Sequence, residues 1–128
     1  ELPDANNQKI TLSSLRGKVA LVHFWAAEDA GSRVLNPLLV DAYEKYHSKG
    51  FEIYQVNLGT SRTEWLNAIK EDQLTWINVG DLNGSVKARM SYNVQTIPSN
   101  YLLDKDGSIV SKNLSGPNLD NALAKLLK

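Results

Sequence analysis

The 128-residue sequence contains no cysteine. That absence removes disulfides, thiolate metal ligands and thiol nucleophiles together. Redox chemistry would have to come from a bound cofactor, and none is expected. An excess of charge is also missing, because Lys plus Arg and Asp plus Glu both number 14. The chain therefore offers no global electrostatic case for nucleic acid or an anionic membrane surface, and nucleic acid is not an expected partner. No apolar run approaches the roughly 20 residues that span a bilayer, and the opening ELPDANNQK has neither a basic nor an apolar leader region. The fragment is expected not to insert into a membrane, while a removed signal or tether stays open. Repeats, low-complexity segments and a Pro/Gly/Ser-rich linker are lacking as well. The length fits one domain with a substantial core, so residues 1–128 are read as a single domain that a longer chain could contain.

What is present is a regular alternation of apolar patterns. Lys18 to Trp25 (KVALVHFW) is a nearly continuous apolar run, as expected of a central strand covered on both faces. From about Ala30 to Lys49, Leu35, Leu38, Leu39, Ala42, Tyr43 and Tyr46 recur at helical spacing, and Gly50 suits a left-handed helix stop. Pro37 should bend this helix near its first turns. Phe51 to Leu58 (FEIYQVNL) alternates as a strand does, and the strand-helix-strand order predicts a parallel right-handed crossover. Ser61 followed by Glu64 is a capping-box pattern for a second helix to about Asp72, with Trp65 and Ile69 inward.

A third helical stretch fits Gly84 to Tyr92, and Asn93 then tolerates a left-handed turn. Val94 to Pro98 leads into a strand at Asn100 to Asp104. The turn Lys105-Asp106-Gly107 and the run Ser108 to Lys112 complete an antiparallel hairpin. A closing helix from about Pro117 to Leu127 carries Leu119, Leu123, Leu126 and Leu127 on one side. These elements predict an α/β fold.

Four blocks carry a family resemblance: LSSLRGKVALVHFWA, the helix with Pro37, YEKYHSKGFEIYQVNL, and YNVQTIPSNYLLDKDGSIV. In this order and spacing they resemble the thioredoxin superfamily, specifically the TlpA/ResA-type thiol-disulfide oxidoreductases grouped with the AhpC/TSA proteins. The resemblance implies the thioredoxin fold, a central mixed β-sheet flanked by helices, with a cis peptide bond at Pro98. It also implies where the redox motif Trp-Cys-x-x-Cys would lie. The tryptophan position is Glu28, the cysteine positions are Asp29 and Ser32, and Ala30 and Gly31 stand between them. The glutamate that members of this type often carry three residues later corresponds to Leu35, and the acid buried beneath the disulfide in many thioredoxins to His23.

Thiol-disulfide exchange needs an attacking thiolate and a resolving thiol, which Asp29 and Ser32 cannot supply. No catalytic residue is expected. An aspartate at a helix N-terminus is most simply an N-cap, Ser32 a first-turn residue bonding locally, and His23 a hydrogen-bonded core histidine. Glu28 is read as a solvated charge. Trp25, Trp76 and Tyr92 are read as core aromatics, Trp76 being the one that could also border the active-site groove. Departure of the tryptophan and glutamate positions along with the cysteines favours natural loss of redox function over an engineered change.

In relatives the backbone just before the cis-proline pairs with bound polypeptide, a form of β-augmentation. The resemblance therefore implies protein or peptide binding at Asp29, Ser32, Thr96, Ile97 and Pro98. The leading expectation is a redox-inactive thioredoxin-like domain serving as a binding or structural module of a bacterial envelope protein. A second is a member of the oxidoreductase lineage acting with cysteines outside this sequence. A third, a hydrolase or metal enzyme on His23, Asp29 and Ser32, requires a deep pocket joining all three, and metal ligation by His23, Glu28 and Asp29 fits no closed-site spacing. Resemblance alone places the domain in the periplasm or on the cell envelope.

Overall fold

The computed structural model describes residues 2–6, 8–80 and 96–127. The helix expected at Gly84 to Tyr92, together with Asn93 and Val94, lies outside the described residues. Short strands β1 (Leu2–Pro3) and β2 (Lys9–Ile10) pair as an antiparallel hairpin, followed by a 3₁₀ turn at Leu12–Leu15. This hairpin carries no apolar period long enough to predict it from the sequence. The main sheet contains β3 (Val19–Trp25), β4 (Phe51–Asn57), β5 (Ile77–Gly80), β6 (Ser99–Leu103) and β7 (Ile109–Lys112). Three helices accompany it among the described residues: α1 (Ala30–Tyr46), α2 (Arg62–Glu71) and α3 (Gly116–Leu126).

The strand order is β5-β4-β3-β6-β7. Pairs β3/β4 and β4/β5 are parallel, whereas β3/β6 and β6/β7 are antiparallel. Every residue of β3 and β4 is buried, which is the reason their sequences are so apolar. Their alternating side chains feed two cores. Val19, Leu21, Trp25, Phe51 and Ile53 meet Leu39 and Tyr46 of α1, Trp65 and Ala68 of α2, and Leu119 and Leu123 of α3. Ala20, Val22, Phe24, Tyr54 and Val56 form the other core with Leu2, Leu15 and Val79, closed by Ile10 and Leu12 from the N-terminal segment.

Local chemistry sets the boundaries. Helix α1 gives way to a 3₁₀ turn at His47–Lys49, and Gly50 follows at φ 99°, the left-handed geometry expected of it. The Ser61 hydroxyl accepts from Glu64 N–H at 3.2 Å to start α2. Pro37 lies inside α1 rather than dividing it. The buried stripe of α1 differs from the apolar period. Its fully covered positions are Ser32, Asn36, Leu39 and Tyr46, while Leu38 and Val34 are exposed, Val34 by 69%. Ser32 is turned inward by its bonds to Asp29 and Ala26, and Asn36 by its bonds to Asp72 and Gln55.

Candidate functional site

The loop leaving β3 turns into α1 at Asp29, whose backbone is extended (φ −96°, ψ 117°). This is the conformation that lets an N-cap side chain reach the unpaired N–H groups of the first turn. Asp29 Oδ2 accepts from the Ser32 backbone N–H at 2.8 Å and from the Ser32 hydroxyl at 2.8 Å. The same hydroxyl oxygen accepts from Ala26 N–H at 3.3 Å. Ser32 is fully buried, so its one hydroxyl proton is committed to Asp29. The two residues at the cysteine positions thus form a closed capping arrangement.

Glu28 is exposed to solvent and also serves the next helix. Its Oε2 accepts from the backbone N–H groups of Thr60 at 3.0 Å and Ser61 at 3.3 Å, just ahead of α2. A negative charge there complements the positive end of the helix dipole. The carboxylate occupies the space a Cβ at Gly59 would need. Beside it, buried Asn57 accepts through Oδ1 from Ala27 N–H at 3.2 Å and Gly59 N–H at 3.0 Å, pinning the loop to the end of β4.

His23 sits in the middle of β3 opposite Asn100 of β6 and is fully buried. Burial pushes its pKa down to about 4. Asn100 Nδ2 donates to Leu114 O at 2.9 Å and lies 3.3 Å from His23 Nδ1. An amide nitrogen has only hydrogens to give, so Nδ1 is the acceptor and the imidazole proton is assigned to Nε2. His23 is therefore a neutral core histidine bonded to β6, and Ser32 is bonded to Asp29 and Ala26. No Ser-His-Asp relay joins them. Among the described residues no group of three or more His, Asp or Glu side chains is placed to share a metal ion.

Ala30 and Gly31 are exposed at the helix start, and Leu35 is half-buried one turn on. Ser99 pairs with Phe24 across the sheet, so the segment Thr96-Ile97-Pro98 lies past the start of β6, toward the end of β3 from which the Asp29 loop departs. Thr96 is exposed, Ile97 and Pro98 are half-buried, and the Ile97–Pro98 bond is cis. Topology thus brings the capping loop and the proline segment to one end of the sheet. Trp76 is elsewhere: it packs edge-on against Tyr43, ring centroids 5.3 Å apart, and its indole N–H donates to Gln55 Oε1 at 2.7 Å. It is a core residue, not a border of the groove.

That Trp76 bond ends a polar chain that the sequence did not announce. Arg33 binds Asp72 with two donors, Nε at 2.6 Å and an Nη at 3.0 Å. Asn36 Nδ2 donates to the same carboxylate at 2.8 Å, and Gln55 Nε2 donates to Asn36 Oδ1 at 3.1 Å. Burial alone would raise the Asp72 pKa, but the hydrogen bonds from Arg33 and Asn36 and the Arg33 charge hold it below the ordinary aspartate value. The chain fixes the first turns of α1 against the end of α2 and against β4. The one signal available beforehand was the presence of Gln55 and Asn57 on the inward face of an otherwise apolar strand.

Comparison with known proteins agrees with this architecture. The model of the AhpC/TSA family matches residues 1–112. Thiol-disulfide oxidoreductase ResA of Bacillus subtilis is 29% identical over 109 residues, covering 85% of this chain and 60% of ResA. The chain thus spans about three fifths of the length of such curated relatives. The crystal structure of the thioredoxin domain of a thiol-disulfide oxidoreductase from Bacteroides vulgatus superposes with a TM-score of 0.91 at 31% identity, covering 99% of this chain and 91% of that one. A thiol-disulfide oxidoreductase from Bacteroides fragilis gives 0.88 at 31% identity, with 98% and 95% covered. A chain with this sheet, this match over most of its length and no cysteine belongs to the AhpC/TSA family as a thioredoxin-fold, ResA-like member that lacks the thiols.

Proposed function

We propose that this is a redox-inactive thioredoxin-like domain that binds extended protein or peptide segments beside Pro98, as a module of a bacterial envelope protein. The observation that carries the reading is the closed arrangement of Asp29 and Ser32. The positions where the family keeps two thiols are occupied by an N-cap and its hydroxyl partner, within a fold that is otherwise that of thiol-disulfide oxidoreductases. Recognition through backbone groups requires no thiol. The exposed Thr96 and half-buried Ile97 and Pro98 are the residues through which it would operate, with Asp29 and buried Ser32 at the start of α1 at the same end of the sheet. The periplasmic or envelope location rests on family resemblance.

Two measurements test this reading. Purified protein should reduce insulin no faster than a protein-free control, and activity above that control, with contaminating thioredoxin excluded, would remove the redox-inactive part. Reduced carboxymethylated α-lactalbumin, an extended polypeptide without free thiols, should perturb the amide resonances of Thr96, Ile97 and Ser32 in a saturable titration. Absence of binding, or binding confined to another face, overturns the groove. The alternative, an oxidoreductase acting with cysteines outside this sequence, is favoured by the chain's partial coverage of its relatives. It predicts cysteines in the remainder of a parent sequence.

A further inference from the structure

A second site lies at the start of β3, the opposite end of that strand from the Asp29 loop. A cavity of about 230 Å³ opens there between the 3₁₀ turn Leu12–Leu15, the sheet and the β6–β7 turn. The strand register shows that its lining converges. Ala20 and Leu103 are cross-strand partners, so their side chains share one face of the sheet, and Leu12 and Leu15 cover that face. Leu15 and Ala20 are buried, while Leu12 and Leu103 are half-buried and leave the apolar floor open. The row continues across the sheet, because Leu103 pairs with Ile109, which is 57% exposed.

The mouth of the cavity carries Arg16 and Lys18. Gly17, between them, takes φ 97° and donates its N–H to Lys105 O at 2.9 Å, which fastens this segment to the β6–β7 turn. Arg16 Nε lies 3.8 Å from where a Cβ on Gly107 would stand, so the guanidinium reaches across that turn. Neither cation has a carboxylate within ion-pair distance among the described residues. The two acids of the turn are directed to donors of their own. Asp104 Oδ1 accepts from Lys105 N–H at 2.8 Å, and Asp106 is held by the hydroxyl and N–H of Ser108 before it feels the Arg16 charge. An apolar floor beside two cations without carboxylate partners fits a molecule that is apolar at one end and anionic at the other. A closed cavity of roughly 150 Å³ accepts benzene, so this one has room for a chain of about six carbon atoms.

We propose that this cavity binds an aliphatic monocarboxylate, its chain against Leu12, Leu15, Ala20 and Leu103 and its carboxylate between Arg16 and Lys18. The test is a titration of ¹⁵N-labelled protein with sodium hexanoate, run beside hexan-1-ol and sodium acetate and repeated on the double variant Arg16→Gln, Lys18→Gln. Saturable shifts centred on Leu15 to Lys18, Ala20, Leu103 and Gly107 are expected. Loss of the ligand charge, or of both cations, should each weaken binding about fivefold or more. Acetate, which lacks the chain, should bind at least about tenfold more weakly than hexanoate. Equal affinity for hexan-1-ol or for acetate, undiminished binding by the double variant, shifts confined to other surfaces, or no saturable change overturns the proposal. Arg16 and Lys18 are exposed, so the double variant is expected to fold. Should it not, the hexanoate-against-alcohol comparison on the unaltered protein decides the same question.

Discussion

At the scale of single residues, the site is a set of polar side chains bonded mainly to near neighbours, with His23 Nε2 and Asn57 Nδ2 left without a partner among the described residues. Asp29→Ala removes the cap of α1 and strands the buried Ser32 hydroxyl, so a loss of about 2 kcal/mol is expected from the two effects together. Asp29→Asn keeps an N-cap oxygen and should recover about half of that; urea denaturation of the three proteins checks both statements. His23 makes a separate prediction for pH. Its folded pKa of about 4 lies below the ordinary histidine value of 6.5, so between these values the unfolded chain takes up a proton that the folded chain refuses. Stability should fall as pH drops from about 6.5 toward 4, by up to about 3 kcal/mol. Asp72, Asp106 and Asp120 are all held below 3.8, so the stability they contribute is lost mostly below this window and overlaps only its acid end. His23→Leu should therefore flatten the urea midpoint between pH 4 and 6.5, and an unchanged slope would show that another group sets it.

At the scale of elements, helix α1 is the piece that the sequence only half disclosed. Its cap at Asp29 and the left-handed Gly50 that closes the 3₁₀ turn after it follow from local chemistry, which a sequence carries openly. Its buried face does not, because Ser32 and Asn36 look solvent-facing until their partners are known. Those of Asn36 are Gln55, 19 residues away, and Asp72, 36 residues away. Conversely, Leu38 fits an inward apolar period yet is exposed. Strand β5 was missed because four residues containing Asn78 and Gly80 show too little period, and Asn100 because its role exists only across the sheet from His23. The polar chain from Arg33 to Trp76 should act as a unit. In a double-mutant cycle of Asp72→Asn and Asn36→Ala, we expect each single change to cost about 1–3 kcal/mol and the pair to couple by about 1 kcal/mol. Additive losses would show that the bonds act independently.

At the scale of the whole molecule, the sheet and its helices hold the geometry of a thiol enzyme without its reagents. If the scaffold is intact, Asp29→Cys with Ser32→Cys should place a thiol at the N-terminus of α1, where free N–H groups and the helix dipole favour the thiolate. The double variant should form an intramolecular disulfide, seen as a two-proton mass difference on reduction, and should gain insulin-reducing activity that neither single variant shows. Failure to close that disulfide would mean that the loop between β3 and α1 departs from the geometry a disulfide needs. Glu28 holds the start of α2 and Asp29 the start of α1, so two neighbouring codons secure two helices. The two acids together make four hydrogen bonds at two helix starts, so a change in this one loop would loosen both helices at once.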